Sequence, residues 1–392
     1  MGTTAIAGAA LISSGFCSPQ KESPQKAGRL IHRTLGRTGL RLPVVSMGSS
    51  YAINLVRTAL DEGIVYIHTS AGYSERKHES LLGEVFQGRP RDSFVIATSP
   101  DLPYRTLPGG ERSADVGRDV DPALILESIE GSLRRLKLEY VDIYYFGSVG
   151  DPELTRHEPY LEAYEKLKKD GKTRFAGLVT HENEPAVIRS AAESGFWDVV
   201  LTAFNFRQSH REEVRAAIRR AAEAGLGVVA MKTQAGVYWD RTRTKKINMK
   251  AALKWVLQDE NVHTSIPAFS NYEEMVEDLS IMEDLTLTPE EKLDLELGDE
   301  LGLSGFYCQQ CGSCLTQCQA GMDIPTLMRS YMYAFGHQKP KKARDALRAW
   351  RAADIACATC GTCDVECSLG FDVKSRALDI ARILDVPMEF LG

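Results

Sequence analysis

Eight of the nine cysteines fall into two quartets of identical spacing: Cys308, Cys311, Cys314 and Cys318, then Cys357, Cys360, Cys363 and Cys367. Each quartet reads C-x2-C-x2-C-x3-C, which wraps three thiolates around one tight loop and sets a fourth just beyond it. That arrangement suits a 4Fe-4S cubane, and two such runs point to two 4Fe-4S clusters and to single-electron transfer. Two C-x2-C pairs also make a four-thiolate zinc site, but zinc explains the third cysteine of each run poorly. Disulfides fit less well still. Cysteines three apart on a tight loop suit metal ligation better than bridging, and a chain of 392 residues needs no staples.

Where this spacing occurs twice, the fourth cysteine of each run serves the other cluster. By that rule Cys308, Cys311, Cys314 and Cys367 hold one cluster, and Cys357, Cys360, Cys363 and Cys318 hold the other. Between the quartets, Asp323 is placed to cap a helix with Ile324 at its first position and Pro325 close behind, where a missing N–H costs little. A second helical run covers 341–353. This layout resembles an α-helical dicluster ferredoxin domain, placed at 301–392, and the resemblance implies a redox protein as partner. Gln319 and Ser368 depart from it, standing where that family usually has proline.

The larger part of the chain alternates β-branched runs with amphipathic helical runs. Strands are predicted at 42–47, 65–69, 94–98, 140–146, 173–179, 198–204, 227–231 and 263–268, with helical runs such as 122–137, 159–169, 212–224 and 249–258 between them. Eight strands, each followed by a helix, make the count of an α/β (β/α)8 TIM barrel, assigned to 29–300. The formal net charge of −6 gives no sign of a nucleic-acid partner. No run is long and apolar enough to span a bilayer, which takes roughly 20 residues. The small-residue apolar run at 5–12, with the linker that follows, reads as an export-leader remnant at 1–28 without its basic start. A twin-arginine leader would suit clusters inserted before export, so the expectation is a periplasmic protein, with a cytoplasmic one as the alternative.

Within the barrel the runs RTLGRTGL at 33–40, ALDEGI at 59–64, Tyr73-Ser74-Glu75, Leu82-Gly83 and Val141-Asp142 resemble the aldo/keto reductases over roughly residues 30–290. The subgroup with a C-terminal ferredoxin-type extension matches best, through AMKTQAG at 230–236 and Phe306-Tyr307-Cys308. The resemblance implies an Asp, Tyr, Lys and His at the barrel mouth, the tyrosine giving a proton as NADPH delivers hydride. Tyr73 is present, but His68, Ser99 and Gly147 stand at the other three positions. His68 is a candidate to replace the missing lysine's charge, because imidazole titrates near neutrality. Ala268, Phe269, Glu274 and Asp278 stand where working members hold the adenosine phosphate, which weighs against NAD(P). Glu274 has another job available, an N-x-x-E capping box with Asn271.

Tyr73, His68, Lys232 and His181 are the candidate catalytic residues, and Asn205 and Gln234 the candidate cofactor-binding ones, all at predicted strand C-termini or the loops after them. Lys232 reads either as a site cation or as a structural residue paired with an acid. The resemblance implies that His181 and Asn205 hold a nicotinamide amide. Hydride moves two electrons together and each cluster accepts one, so coupling the halves needs a flavin, for which the sequence shows no signature, or a substrate that tolerates a radical. The first reading is an iron-sulfur oxidoreductase with a degenerate tetrad. The alternative is a non-catalytic electron-transfer subunit with its barrel as a docking scaffold. A mouth pocket favours the first and a plugged mouth the second, with the loop at 100–120 as lid or plug.

Overall fold

The computed structural model describes residues 30–391 except 75, 107–111, 119, 237, 240–244, 301–307, 309–311, 337–338, 350–354, 362 and 369. The leader at 1–28 and Cys311 therefore lie outside the described residues. A short ribbon opens the barrel: β1 (His32–Thr34) pairs antiparallel with β2 (Arg41–Pro43). The turn between them lies against the start of a later barrel strand, where a Cβ on Gly36 would clash with Gly227 N. Then come α1 (Ile53–Asp61), β3 (Tyr66–His68), α2 (Lys77–Val85) and β4 (Val95–Thr98). A hairpin, β5 (Tyr104–Thr106) with β6 (Arg112–Val116), interrupts the alternation before α3 (Ala123–Leu136).

The alternation then resumes with β7 (Val141–Phe146), α4 (Glu158–Lys169), β8 (Thr173–Thr180), α5 (Glu184–Ser194), β9 (Val199–Ala203) and α6 (Arg211–Glu223). It ends with β10 (Gly227–Met231), α7 (Met249–Leu257), β11 (Thr264–Ser265), α8 (Tyr272–Leu279) and α9 (Pro289–Glu300). Seven strands form one parallel sheet in the order β11-β10-β9-β8-β7-β4-β3. The first predicted strand, 42–47, is corrected: regular strand ends at Pro43. Val45 and Met47 then make single parallel bridges to Ser265 and Ile67. Met47 N donates to Tyr66 O at 3.0 Å and Ser46 N to Ser265 O at 2.8 Å, so this segment joins the two sheet edges and closes the barrel.

The barrel is filled, not hollow, as parallel barrels of this size are. Tyr66, Ile143, Tyr145, Leu201 and Val229 pack inside, and the hydroxyls of Tyr66 and Tyr145 meet at 3.0 Å. Asp142, one per cent exposed, ties the sheet to its flank. Its carboxylate accepts from Ile96 N at 2.9 Å, from Arg91 at 2.8 Å and from Arg174 at 2.8 Å.

Three helices follow: α10 (Ile324–Tyr331), continued by a π-helical turn at Met332–Gly336, then α11 (Pro340–Ala349) and α12 (Val373–Ala381). Asp323 caps α10 as the sequence predicts, accepting from Thr326 N at 3.1 Å. Leu327, Ala343, Leu347, Ala377 and Ile380 form a separate small core. The helices do not hang free of the barrel. Met332 packs with Phe206, Trp239 and Ile247 in one apolar cluster, so hydrophobic burial holds the two parts together.

Candidate functional site

Strand ends converge on the C-terminal mouth of the barrel, the face where such barrels keep their chemistry. His68 closes β3, Ser99 follows β4, Gly147 follows β7, His181 follows β8 and Lys232 follows β10. Two adjoining chambers occupy the mouth, of about 190 and 100 Å³. His68, Tyr73, His181, Tyr333 and Lys342 line both. Leu102 and Val116, described residues of the loop at 100–120, line the larger chamber. Its roof comes from the helical domain, through Thr326 and Arg329 of α10 and Asp345 and Ala346 of α11.

His68 is five per cent exposed, and its ring centre lies 6.1 Å from that of Tyr73 and 5.5 Å from that of Tyr145. Burial, reinforced by Lys342 and His78, pushes its pKa down to about 3. The expectation that His68 supplies the missing lysine's charge is thereby corrected: in this pocket it is a neutral imidazole. Behind it, His78 sits between Thr69 Oγ1 at 2.7 Å and Ser50 O at 2.8 Å, and burial lowers its pKa to about 4. Both histidines bind protons less readily folded than unfolded, so stability is full above about pH 6.5 and is lost as pH falls toward 4. The urea midpoint should drop across that window, and His68→Phe should flatten the drop by up to one proton's worth of slope. An unchanged slope in that variant would refute the buried neutral state.

His181 Nδ1 lies 2.8 Å from Ser148 Oγ, and burial, with Lys232 next, holds its pKa well below the usual imidazole range. Lys232 has a left-handed backbone, φ 55°, held where Asn205 Nδ2 donates to its carbonyl at 3.2 Å. Its Nζ is buried with no hydrogen-bond partner among the described residues, so these do not show the structural alternative, a lysine paired with an acid. Burial lowers its pKa well below the ordinary lysine value, Arg329 and Lys342 add to the depression, and Glu184 and Cys308 partly offset it. Asn205 itself lines neither chamber; its side chain braces the β9 and β10 loops. Gln234 lines the smaller chamber and donates to Asp278 at 2.5 Å, and burial raises that carboxyl's pKa well above the usual range.

Gly147 has φ 120°, and a Cβ there would meet Val179 O at 2.8 Å and Val149 N at 2.9 Å. Asn271 caps α8, accepting from Glu274 N at 2.8 Å, while Glu274 reaches back one residue further than predicted, to Ser270 N at 2.8 Å. Across the seam, Lys339 Nζ donates to Ala268 O at 2.8 Å and lies 3.6 Å from Glu274. Sequence reading missed this roof. One signal was available: Lys341 and Lys342 sit in the first turn of α11, where the helix dipole disfavours cations.

The cysteines ring two further cavities, each of about 20 Å³. Cys308, Cys314 and Cys367 line one; Cys318, Cys357, Cys360 and Cys363 line the other. For the described cysteines this is the crossed division expected from the spacing; Cys311 lies outside the described residues. Among the described residues no three His, Cys, Asp or Glu side chains converge as around a single ion. The thiolates instead surround small apolar spaces, the donor set and layout that a 4Fe-4S cubane takes.

Residues 35–250 match the aldo/keto reductase family, and residues 307–372 match a 4Fe-4S dicluster domain. The chain belongs to the aldo/keto reductase family. Among similar family members, L-galactose dehydrogenase of Arabidopsis thaliana is 34% identical over 165 residues, 37% of this chain and 47% of its own length. Aldo-keto reductase AFTS1 of Alternaria alternata is 25% identical over 240 residues, 52% of this chain and 65% of its own. The chain thus spans only about half to two thirds of these relatives. The aldo-keto reductase AKR11C1 of Bacillus halodurans, in its holo form, shares the fold. It superposes with a TM-score of 0.54 at 22% identity, covering 69% of this chain and 96% of that one. No described helix is long and apolar enough to cross a membrane.

Proposed function

We propose that this chain is an iron-sulfur oxidoreductase with a degenerate aldo/keto reductase tetrad, whose small substrate lies at the barrel mouth beneath the cluster-bearing domain. One observation carries the reading: α10 lines the larger mouth chamber through Thr326 and Arg329 and the first cysteine cavity through Ile324, Pro325 and Met328. A substrate in the mouth is separated from those thiolates by a single helix. Clusters bound by the two crossed cysteine sets would supply one electron at a time. The protein's own part is to seat the substrate against His68, Tyr73 and His181, to exclude water with the roof, and to set the charge around it. The scaffold alternative predicts a plugged mouth, and the two chambers speak against it.

The reading leaves out the nicotinamide cofactor. Lys339 binds Ala268 O and lies beside Glu274, positions where the family resemblance puts the adenosine phosphate. Ser99 and Gly147, with His68, leave Tyr73 without the tetrad residues that tune its proton. The reading further takes 29–300 as barrel and 301–392 as cluster domain, with export through a leader at 1–28. A redox protein then meets the second cluster, where Cys363 is exposed. The test is an anaerobic titration of cluster-replete protein with NADPH, NADH and dithionite, followed by visible absorption. Dithionite should bleach the clusters and both nicotinamides should leave them unchanged. Bleaching by NADPH would overturn the nicotinamide-free reading and call for a bound flavin to split the electron pair.

A further inference from the structure

The smaller mouth chamber is lined by three lysines, Lys232, Lys339 and Lys342, and by no carboxylate. Lys339 is committed to Ala268 O, with Glu274 nearby. Lys342 lies with its Nζ 4.9 Å from the centre of the Tyr333 ring. Among the described residues Lys232 Nζ has no hydrogen-bond partner, and neither has His68 Nε2, although both atoms are buried and both residues line the chamber. Buried polar groups are ordinarily satisfied, and a buried ammonium is unfavourable unless something neutralises it. The carboxylates in reach do not do so. Glu184 is engaged by His210 at 3.0 Å and by Gln208, Asp101 of the larger chamber pairs with Arg76 at 3.1 Å, and Asp345 lines only the larger chamber.

We propose that the smaller chamber is an oxyanion subsite, built jointly by the barrel and the cluster domain, which seats the carboxylate or phosphate group of a compact anionic substrate on Lys232, Lys342 and His68. The uncharged end of that molecule then enters the larger chamber beside Tyr73 and His181, because the two chambers share those residues. The size agrees. Chambers of about 190 and 100 Å³ fall short of the roughly 300–1,000 Å³ of drug-sized sites, so the ligand is small. This assignment of substrate class rests on the oxidoreductase reading above. The binding itself does not.

The test is calorimetric titration of oxidised, cluster-replete, full-length protein with inorganic phosphate, with malonate and with uncharged malonamide. Saturable binding of one of the two anions is expected, with malonamide inert; the tighter anion identifies the group as carboxylate or phosphate. Lys232→Met and Lys342→Met should each weaken it by about tenfold or more. Lys166→Met, an exposed lysine paired with Asp170 far from the mouth, should leave it unchanged. Retained cluster absorption would show that each variant is folded, and the second variant stands in if the first is not. No saturable heat from either anion, or an affinity in both lysine variants unchanged from that of the unsubstituted protein, overturns the proposal. The measurement uses no reductant, so a nicotinamide that bleaches the clusters would defeat the redox reading and leave this result standing.

Discussion

Cys314→Ser combined with Cys367→Ser should cost no more iron than either change alone, whereas Cys314→Ser combined with Cys318→Ser should cost all of it. The crossed cavities require this. Cys314 and Cys367 line one space, and Cys318 lines the other with Cys357, Cys360 and Cys363. Each single change should therefore remove about four of about eight iron atoms per chain. If each quartet held its own cluster, the two double variants would exchange results, so iron and acid-labile sulfide per chain decide between the layouts. A fall in folding stability should accompany the loss. The two helices that line the cavities are short, eight residues for α10 and nine for α12, and helices of that length are marginal on their own. Their small core leans on the metal, because ligand binding in such domains is itself folding free energy. Since α10 and α11 also roof the mouth, either single variant should loosen the larger chamber as well.

Asp142→Ala should be the most damaging single change in the barrel. The carboxylate is buried on β7 and holds three groups at once: Ile96 N on β4, Arg91 before β4 and Arg174 on β8. Removing it orphans the buried Ile96 amide and leaves the mostly buried Arg91 without its counter-charge, which together should cost about 3 kcal/mol, while the half-exposed Arg174 can turn to water. Arg91 is further committed, its guanidinium 4.0 Å from the centre of the Tyr140 ring, so it cannot swing out to water without losing that contact. The measurement is the urea midpoint of the far-UV transition, with the cluster absorption followed in parallel. A shift of less than about 1 kcal/mol would mean that the network is no stronger than an exposed ion pair.

The barrel was legible because its strands are continuous β-branched runs buried on both faces, and those runs show without tertiary knowledge. The first strand was overread. The segment from Val44 to Met47 has a strand's composition but only single bridges on each side, and pairing geometry is not written in composition. For the seven described cysteines the grouping around the two cavities follows the crossed division that their spacing suggests. What sequence did not convey was the environment. Residue type marks His68 as a titrating group, yet burial keeps it neutral, and Lys232, which also reads as a structural residue paired with an acid, has a buried Nζ with no hydrogen-bond partner among the described residues. The roof of Arg329, Lys339 and Lys342 arises from docking between segments 71 residues or more apart in the chain, as for Lys339 on Ala268 O, which no local pattern encodes.

The backbone at Gly147 carries a consequence for redesign. With φ 120° and the Val179 carbonyl only 2.8 Å from any added Cβ, no side chain fits there without moving the loop. A residue introduced at that point, a histidine included, would first have to displace a main-chain carbonyl. The floor of the mouth is thus set by the backbone at this position, and variation is easier among the side chains that line the roofed pocket.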